Sequence, residues 1–143
     1  MCSSDLEPWL RAGLEMLPEE MKRRYHLYAY LHDEMPLALA AADLGIMRAG
    51  ASVLGELPAA RLPAILVPGE YEGWDQGPNA RYLQDTGASV MLRQEDIGEL
   101  HELAVDLIKD EPRLQRMRES LGGLARPDAA ERLARLTVEM AKP

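Results

Sequence analysis

Pro63-Ala64-Ile65-Leu66-Val67-Pro68 narrows the fold more than any other part of this chain. An unbroken apolar run between two prolines offers no polar face to water. A strand formed here must therefore be covered on both sides, as a central strand of a parallel sheet is. Parallel strands need crossover connections, usually helices, so the run also asks for helical sequence before and after it.

The flanking sequence supplies that alternation. Leu44 to Met47 is a second short apolar run, and after Arg48-Ala49-Gly50-Ala51-Ser52 the residues Val53, Leu54 and Leu57 predict a helix with Ser52 as its N-cap. Gly55 inside that helix costs about 1 kcal/mol relative to alanine, and Pro58 should kink or end it. Beyond Pro68, residues Gly69 to Pro78 read as a loop rich in Gly, Pro and acid. Asn79 to Thr86 predicts a helix closed by Gly87, and Ala88 to Leu92 a further strand. Upstream, Pro8 to Arg24 reads as a helix interrupted at Pro18, Tyr25 to Leu31 as a strand, and Met35 to Ala42 as a helix. The last third, Asp96 to Lys142, is helical with breaks near Pro112, at Gly122-Gly123 and at Pro127. The fold class is α/β. About four strands are fewer than a free-standing doubly wound sheet uses, so further sequence is expected before residue 1.

Composition removes several function classes. With 47% hydrophobic and 28% charged residues the chain is globular in type. Its net charge of −8 disfavours a nucleic-acid partner, which is held by clustered Lys and Arg. Cys2 is the only cysteine, which excludes an internal disulfide and points to the cytoplasm as the simplest compartment. No apolar run reaches the roughly 20 residues that span a bilayer. Phosphate-loop, GxGxxG, HExxH and GxSxG signatures are absent, and His26, His32 and His101 are dispersed without metal-ligand spacing, so no metal site is expected.

Gly50, Ala51 and Ser52 follow one predicted strand and open one predicted helix. Small residues there expose backbone N–H groups at the positive end of a helix dipole, which suits a diphosphate; an ordinary tight strand-to-helix turn looks the same. Glu56 lies one residue beyond the capping-box position, so it is either a solvated first-turn acid or an acceptor for the vicinal hydroxyls of a ribose. Asp75 and Gln76, in the loop after the central strand, have the chemistry to bond sugar hydroxyls or simply to face water.

Taken together, Ala42-Asp43-Leu44, Arg48-Ala49-Gly50-Ala51-Ser52, Gly55-Glu56, Leu62 to Pro68, Asp75-Gln76, Asn79-Ala80 and the Ala125-Arg126-Pro127-Asp128-Ala129-Ala130 segment resemble, in order and spacing, the C-terminal domain of the family 28 glycosyltransferases. The resemblance runs from Trp9 to Ala141. It implies the C-terminal, donor-binding half of a GT-B fold: a partial Rossmann-like parallel sheet with C-terminal helices, covering residues 7–143 and truncated at its N-terminus, after a ragged start at 1–6. It implies an inverting hexosyltransferase of peptidoglycan synthesis, with UDP-N-acetylglucosamine or a related UDP-sugar as donor and a lipid-linked acceptor reached through a missing N-terminal domain or a partner chain.

No cofactor is implied, and the location would be cytoplasmic, peripheral at the inner face of the plasma membrane. Glu56 matches the ribose carboxylate of the family. Gly50, Ala51, Ser52 and Val53 match the diphosphate-facing helix start, and Tyr30 and Leu31 fall near the uracil cradle. Gln76 matches a donor-sugar contact, with Asp75 standing where His or Gln is more usual. No catalytic base is assigned, and little or no turnover is expected from this chain alone. The same residues would also serve a non-catalytic donor-binding subunit of a two-chain transferase, or another UDP-sugar enzyme of the same fold.

Overall fold

The structure, a computed structural model, describes the backbone of residues 3–71 and 74–141, and within these the side chains of 7–70 and 74–141. Cys2 and Glu72-Gly73 of the expected loop lie outside the described residues. The chain divides into two compact units, Met1–Met35 and Pro36–Pro143.

In the first unit α1 (Ser3–Glu15) and the single-turn α2 (Glu19–Lys22) reproduce the expected helix, break and helix. Pro18, at φ −56 and ψ 145, is extended and has no N–H to continue α1, so it ends one helix and precedes the next. Helix α1 begins at Ser3, inside the stretch whose sequence shows no periodicity. The expected strand at Tyr25–Leu31 does not form; this segment is irregular. Strand propensity reflects the fit of a side chain to a sheet, and the described residues of this unit contain no strand for it to join. Tyr25, Tyr28 and Tyr30 are exposed instead.

The second unit runs in chain order through α3 (Met35–Ala41), β1 (Gly45–Met47), α4 (Val53–Ala60), β2 (Ala64–Leu66), β3 (Glu70–Tyr71), β4 (Trp74–Asp75), α5 (Gly77–Asp85) and β5 (Ser89–Met91). A 3-10 helix (Gln94–Glu99), α6 (Leu100–Lys109), α7 (Glu111–Leu124) and α8 (Ala129–Met140) complete it. The sheet is parallel, in the order β1-β2-β5, with Gly45, Ala64 and Ser89 in its amino-terminal row and Met47, Leu66 and Met91 in its carboxyl-terminal row.

Strand β2 is central and wholly buried, as its sequence requires. Its residues alternate between two cores. Ala64 and Leu66 pack with Val53 and Leu57 of α4, Ala80 and Leu83 of α5, and Leu121 of α7. Ile65 and Val67 pack with Leu107 of α6 and Met117 of α7. Each large aliphatic side chain so buried stabilises the fold by about 1.5–3 kcal/mol before entropy is counted.

Helices α4 and α5 enter their strands through the same closing turn. Leu62 N–H reaches back to Leu57 C=O at 3.1 Å and Ala88 N–H to Leu83 C=O at 2.9 Å, around residues in the left-handed region, Arg61 at φ 51 and Gly87 at φ 74. Pro58 lies inside α4 close to its end, so the hydrogen bond it removes belongs to the last turn.

Three loop or break assignments change. The expected loop Gly69–Pro78 contains the antiparallel hairpin β3-β4, in which Glu70 faces Asp75. Helix α5 then starts at Gly77 rather than Asn79, because Asp75 Oδ1 accepts the Gly77 N–H at 2.7 Å and Pro78 is tolerated in a first turn. The break near Pro112 falls at Asp110, whose carboxylate accepts the Arg113 N–H at 3.0 Å. Helix α7 runs through Gly122-Gly123 without a break. Gly122 has a packing reason: a Cβ there would stand 3.3 Å from Arg61 Nε. Among the described residues no helix is long and apolar enough to cross a membrane.

Candidate functional site

The carboxyl ends of three parallel strands open onto one edge of the second unit, and the chain places its polar residues there. After β1 the backbone turns through Arg48 to Ser52. Val53 and Leu54 N–H close on Gly50 and Ala51 C=O at 3.2 and 3.3 Å, so helical geometry is already present at Gly50. Among the described residues no acceptor takes the Ala51 or Ser52 N–H. Both residues are exposed at the positive end of α4.

Ser52 occupies the N-cap position, as expected, but its side chain makes no cap bond, which corrects the capping role. At φ −62 and ψ −31 it is itself helical, and that conformation does not present Oγ to the amides ahead. The residue is exposed at the start of α4. Val53 is buried in the core, so only its backbone belongs to this turn. Glu56 is exposed one turn further along.

Gly50 and Gly55 differ from Gly122. A Cβ at Gly55 would meet nothing within 4 Å, and one at Gly50 would approach only Gln76 Nε2, at an ordinary 3.7 Å. Neither needs a positive φ. Protein packing therefore does not explain why these two positions are glycine.

Gln76 is drawn into this region and is only 4% exposed. Its Oε1 accepts the Gly69 N–H at 2.9 Å, so its oxygen belongs to the fold. Asp75 is exposed; Oδ1 is engaged by the Gly77 N–H and Oδ2 lies 4.0 Å from Arg81 Nη2. Tyr30 and Leu31 belong to the first unit, where Leu31 is half-buried and the Tyr30 ring lies 4.5 Å from that of His32.

Two organisers carry no role in the sequence reading. Asn79 Nδ2 donates to Ala49 C=O at 2.9 Å and thereby ties the start of α5 to the β1-α4 turn. Arg48 Nη1 donates to Gln94 Oε1 at 2.6 Å and to Val67 C=O at 3.2 Å, which joins the ends of all three sheet strands. Arg48 borders an open cleft of about 660 Å³ lined also by Gly69, Glu70, Arg93, Gln94 and Glu95. The hydrogen bond from Arg93 to Asp96, helped by the Asp96 and Glu95 charges, raises the Arg93 pKa further, so its guanidinium stays charged. The available signals were an arginine just past a predicted strand and an asparagine just past Gly-Pro.

With this geometry in view, comparison with known proteins is specific. Residues 13–133 match the family described as glycosyltransferase family 28 C-terminal domain. A protein of Roseiflexus sp. named UDP-N-acetylglucosamine--N-acetylmuramyl-(pentapeptide) pyrophosphoryl-undecaprenol N-acetylglucosamine transferase is 39% identical over 88% of this chain and 33% of its own length. The protein of the same name from Alkalilimnicola ehrlichii is 44% identical over 77% of this chain and 32% of its own. The crystal structure of Acinetobacter baumannii MurG superposes with a TM-score of 0.65 at 28% identity, covering 74% of this chain and 31% of that one. The chain thus spans about a third of the length of the relatives it matches.

Proposed function

Since the chain belongs to the family 28 glycosyltransferases as their C-terminal domain, we propose that it binds the UDP-sugar donor, UDP-N-acetylglucosamine, of an inverting transfer to a lipid-linked peptidoglycan precursor. One observation carries the reading. The exposed Ala51 and Ser52, whose amides no acceptor among the described residues takes, and the exposed Glu56 one helical turn on, sit together at the carboxyl edge of a parallel sheet.

In the proposed arrangement the Ala51 and Ser52 amides and the Ser52 hydroxyl receive the diphosphate, and the α4 dipole favours its charge. The Glu56 carboxylate accepts from both ribose hydroxyls. Gln76, whose oxygen is taken, offers the sugar its Nε2, and Asp75 offers Oδ2. When the acceptor hydroxyl attacks the anomeric carbon, the carbon–phosphate-oxygen bond breaks and negative charge grows on UDP. Fixed amides stabilise that charge. The acceptor and its general base belong to the rest of the transferase, which would work at the cytoplasmic face of the membrane.

Calorimetric titration of UDP into this chain and into Glu56→Ala tests the reading. Loss of a charge-assisted contact should weaken UDP by roughly tenfold or more. UDP lacking both ribose hydroxyls should bind the two proteins alike. Equal affinities for UDP itself would remove Glu56 from the ribose site.

A further inference from the structure

At the amino-terminal end of the sheet lies a second open cleft of about 570 Å³, between α5, β5 and α7. Ser89, which lines it, shares its sheet row with Ala64 and Gly45, so the cleft is at the end opposite the Gly50–Ser52 turn. Its polar lining consists of Gln84, Ser89, Arg113, Arg116 and Ser120, with no carboxylate, on a chain that has 24 acidic residues against 16 basic ones.

Independent features mark it as more than a gap between helices. Arg113 and Arg116 stand on one side of α7, three residues apart, and among the described residues neither has an acidic partner. Arg118 on the same helix, by contrast, is paired with Glu111 at 2.8 Å and Asp43 at 3.5 Å. Ser89 is 5% exposed, and its Oγ is buried without a hydrogen-bond partner among the described residues. Such an orphan costs about 1–3 kcal/mol and calls for an explanation. Gln84 Oε1 accepts the Met91 N–H at 2.8 Å, so the group it has left for a ligand is its amide nitrogen. Ser120 Oγ lies over Gly87, 3.4 Å from where a Cβ would stand.

We propose that this cleft binds a phosphate-type oxyanion, held by the Arg113 and Arg116 guanidiniums and by the Ser89, Ser120 and Gln84 donors. Every polar side chain lining the cleft has a donor to offer, and guanidinium forks match phosphate oxygens in pairs. The net charge of −8 does not forbid it, because beyond about 8 Å physiological salt screens the remaining charges. The cleft lies at the end of the sheet opposite the proposed donor site, so anion binding here does not depend on donor binding there.

The test is titration of inorganic phosphate into the full 143-residue chain at constant ionic strength, followed by amide chemical shifts. Saturable shifts are expected at Ser89, Gly87 and Ser120, weakened at least tenfold in the double variant Arg113→Gln, Arg116→Gln. Ser89→Ala should weaken phosphate severalfold while leaving the thermal midpoint unchanged or raised, which a purely structural serine would not do. A parallel arm uses phosphatidylglycerol vesicles. Binding lost in the double variant identifies a lipid headgroup if seen only with vesicles and a free anion if seen only with phosphate. Non-saturable shifts, or shifts indifferent to both arginines in both arms, overturn the site.

Discussion

Gln76 and Gly69 hold each other twice: the Gln76 backbone N–H donates to Gly69 C=O at 3.1 Å, and the Gly69 N–H donates to Gln76 Oε1 at 2.9 Å. This pair closes the base of the β3-β4 hairpin and delivers the chain into α5. The residue expected to read the donor sugar is therefore also a structural element, and only its amide nitrogen remains for a ligand.

Gln76→Ala should then lower stability as well as donor affinity. It strands a buried Gly69 N–H, and the expected loss is about 1–3 kcal/mol, read from the urea midpoint at unchanged slope. A loss below about 0.5 kcal/mol would show that water replaces the side chain there.

Gly50→Ala should leave stability unchanged and still cost donor affinity. The added methyl meets only Gln76 Nε2, at 3.7 Å, and the backbone is not left-handed, so the melting temperature should stay within a degree or two. If a diphosphate approaches this backbone closely, the same methyl should weaken UDP about tenfold, a change of about 1.4 kcal/mol. Unaltered UDP binding would return the turn to an ordinary strand-to-helix connection.

The adjacent glycines of α7 should part company. A Cβ at Gly123 meets nothing within 4 Å, so Gly123→Ala should stabilise the chain by up to about 1 kcal/mol through helix propensity alone. Gly122→Ala gains the same propensity but must push aside the Arg61 guanidinium, 3.3 Å away, whose residue already adopts φ 51. Its net effect should be smaller by at least half. Equal gains in thermal denaturation would show that the Arg61 contact contributes nothing.

Much of this was legible in the chain, and the reasons are local. The Pro63–Pro68 run could only be a covered central strand, and β2 is buried at every residue. The small-residue turn after β1 announced a strand-to-helix junction, and the motif order gave the family that residues 13–133 match. The misses share one cause. Tyr25–Leu31 has strand-like residues and no strand, because pairing needs a neighbour that local sequence does not reveal. Gly122-Gly123 looked like a break because the reason for Gly122, the packing of Arg61 against it from 61 positions earlier in the chain, is invisible to any local window.

What the sequence by itself determined was the alternation of strand and helix, the covered strand and the position of the small-residue turn from strand into helix, since each depends on residue type and spacing within one or two turns of chain. Only the tertiary structure decided that Ser52 does not cap α4, that Gln76 has one free end rather than two, and that Arg48 binds three strand ends together. It also decided that Ser89 buries a hydroxyl in a cleft shared with Arg113 and Arg116, which have no acidic partner among the described residues. These are facts about what stands next to what across distant segments, and hydrogen-bond satisfaction is settled there.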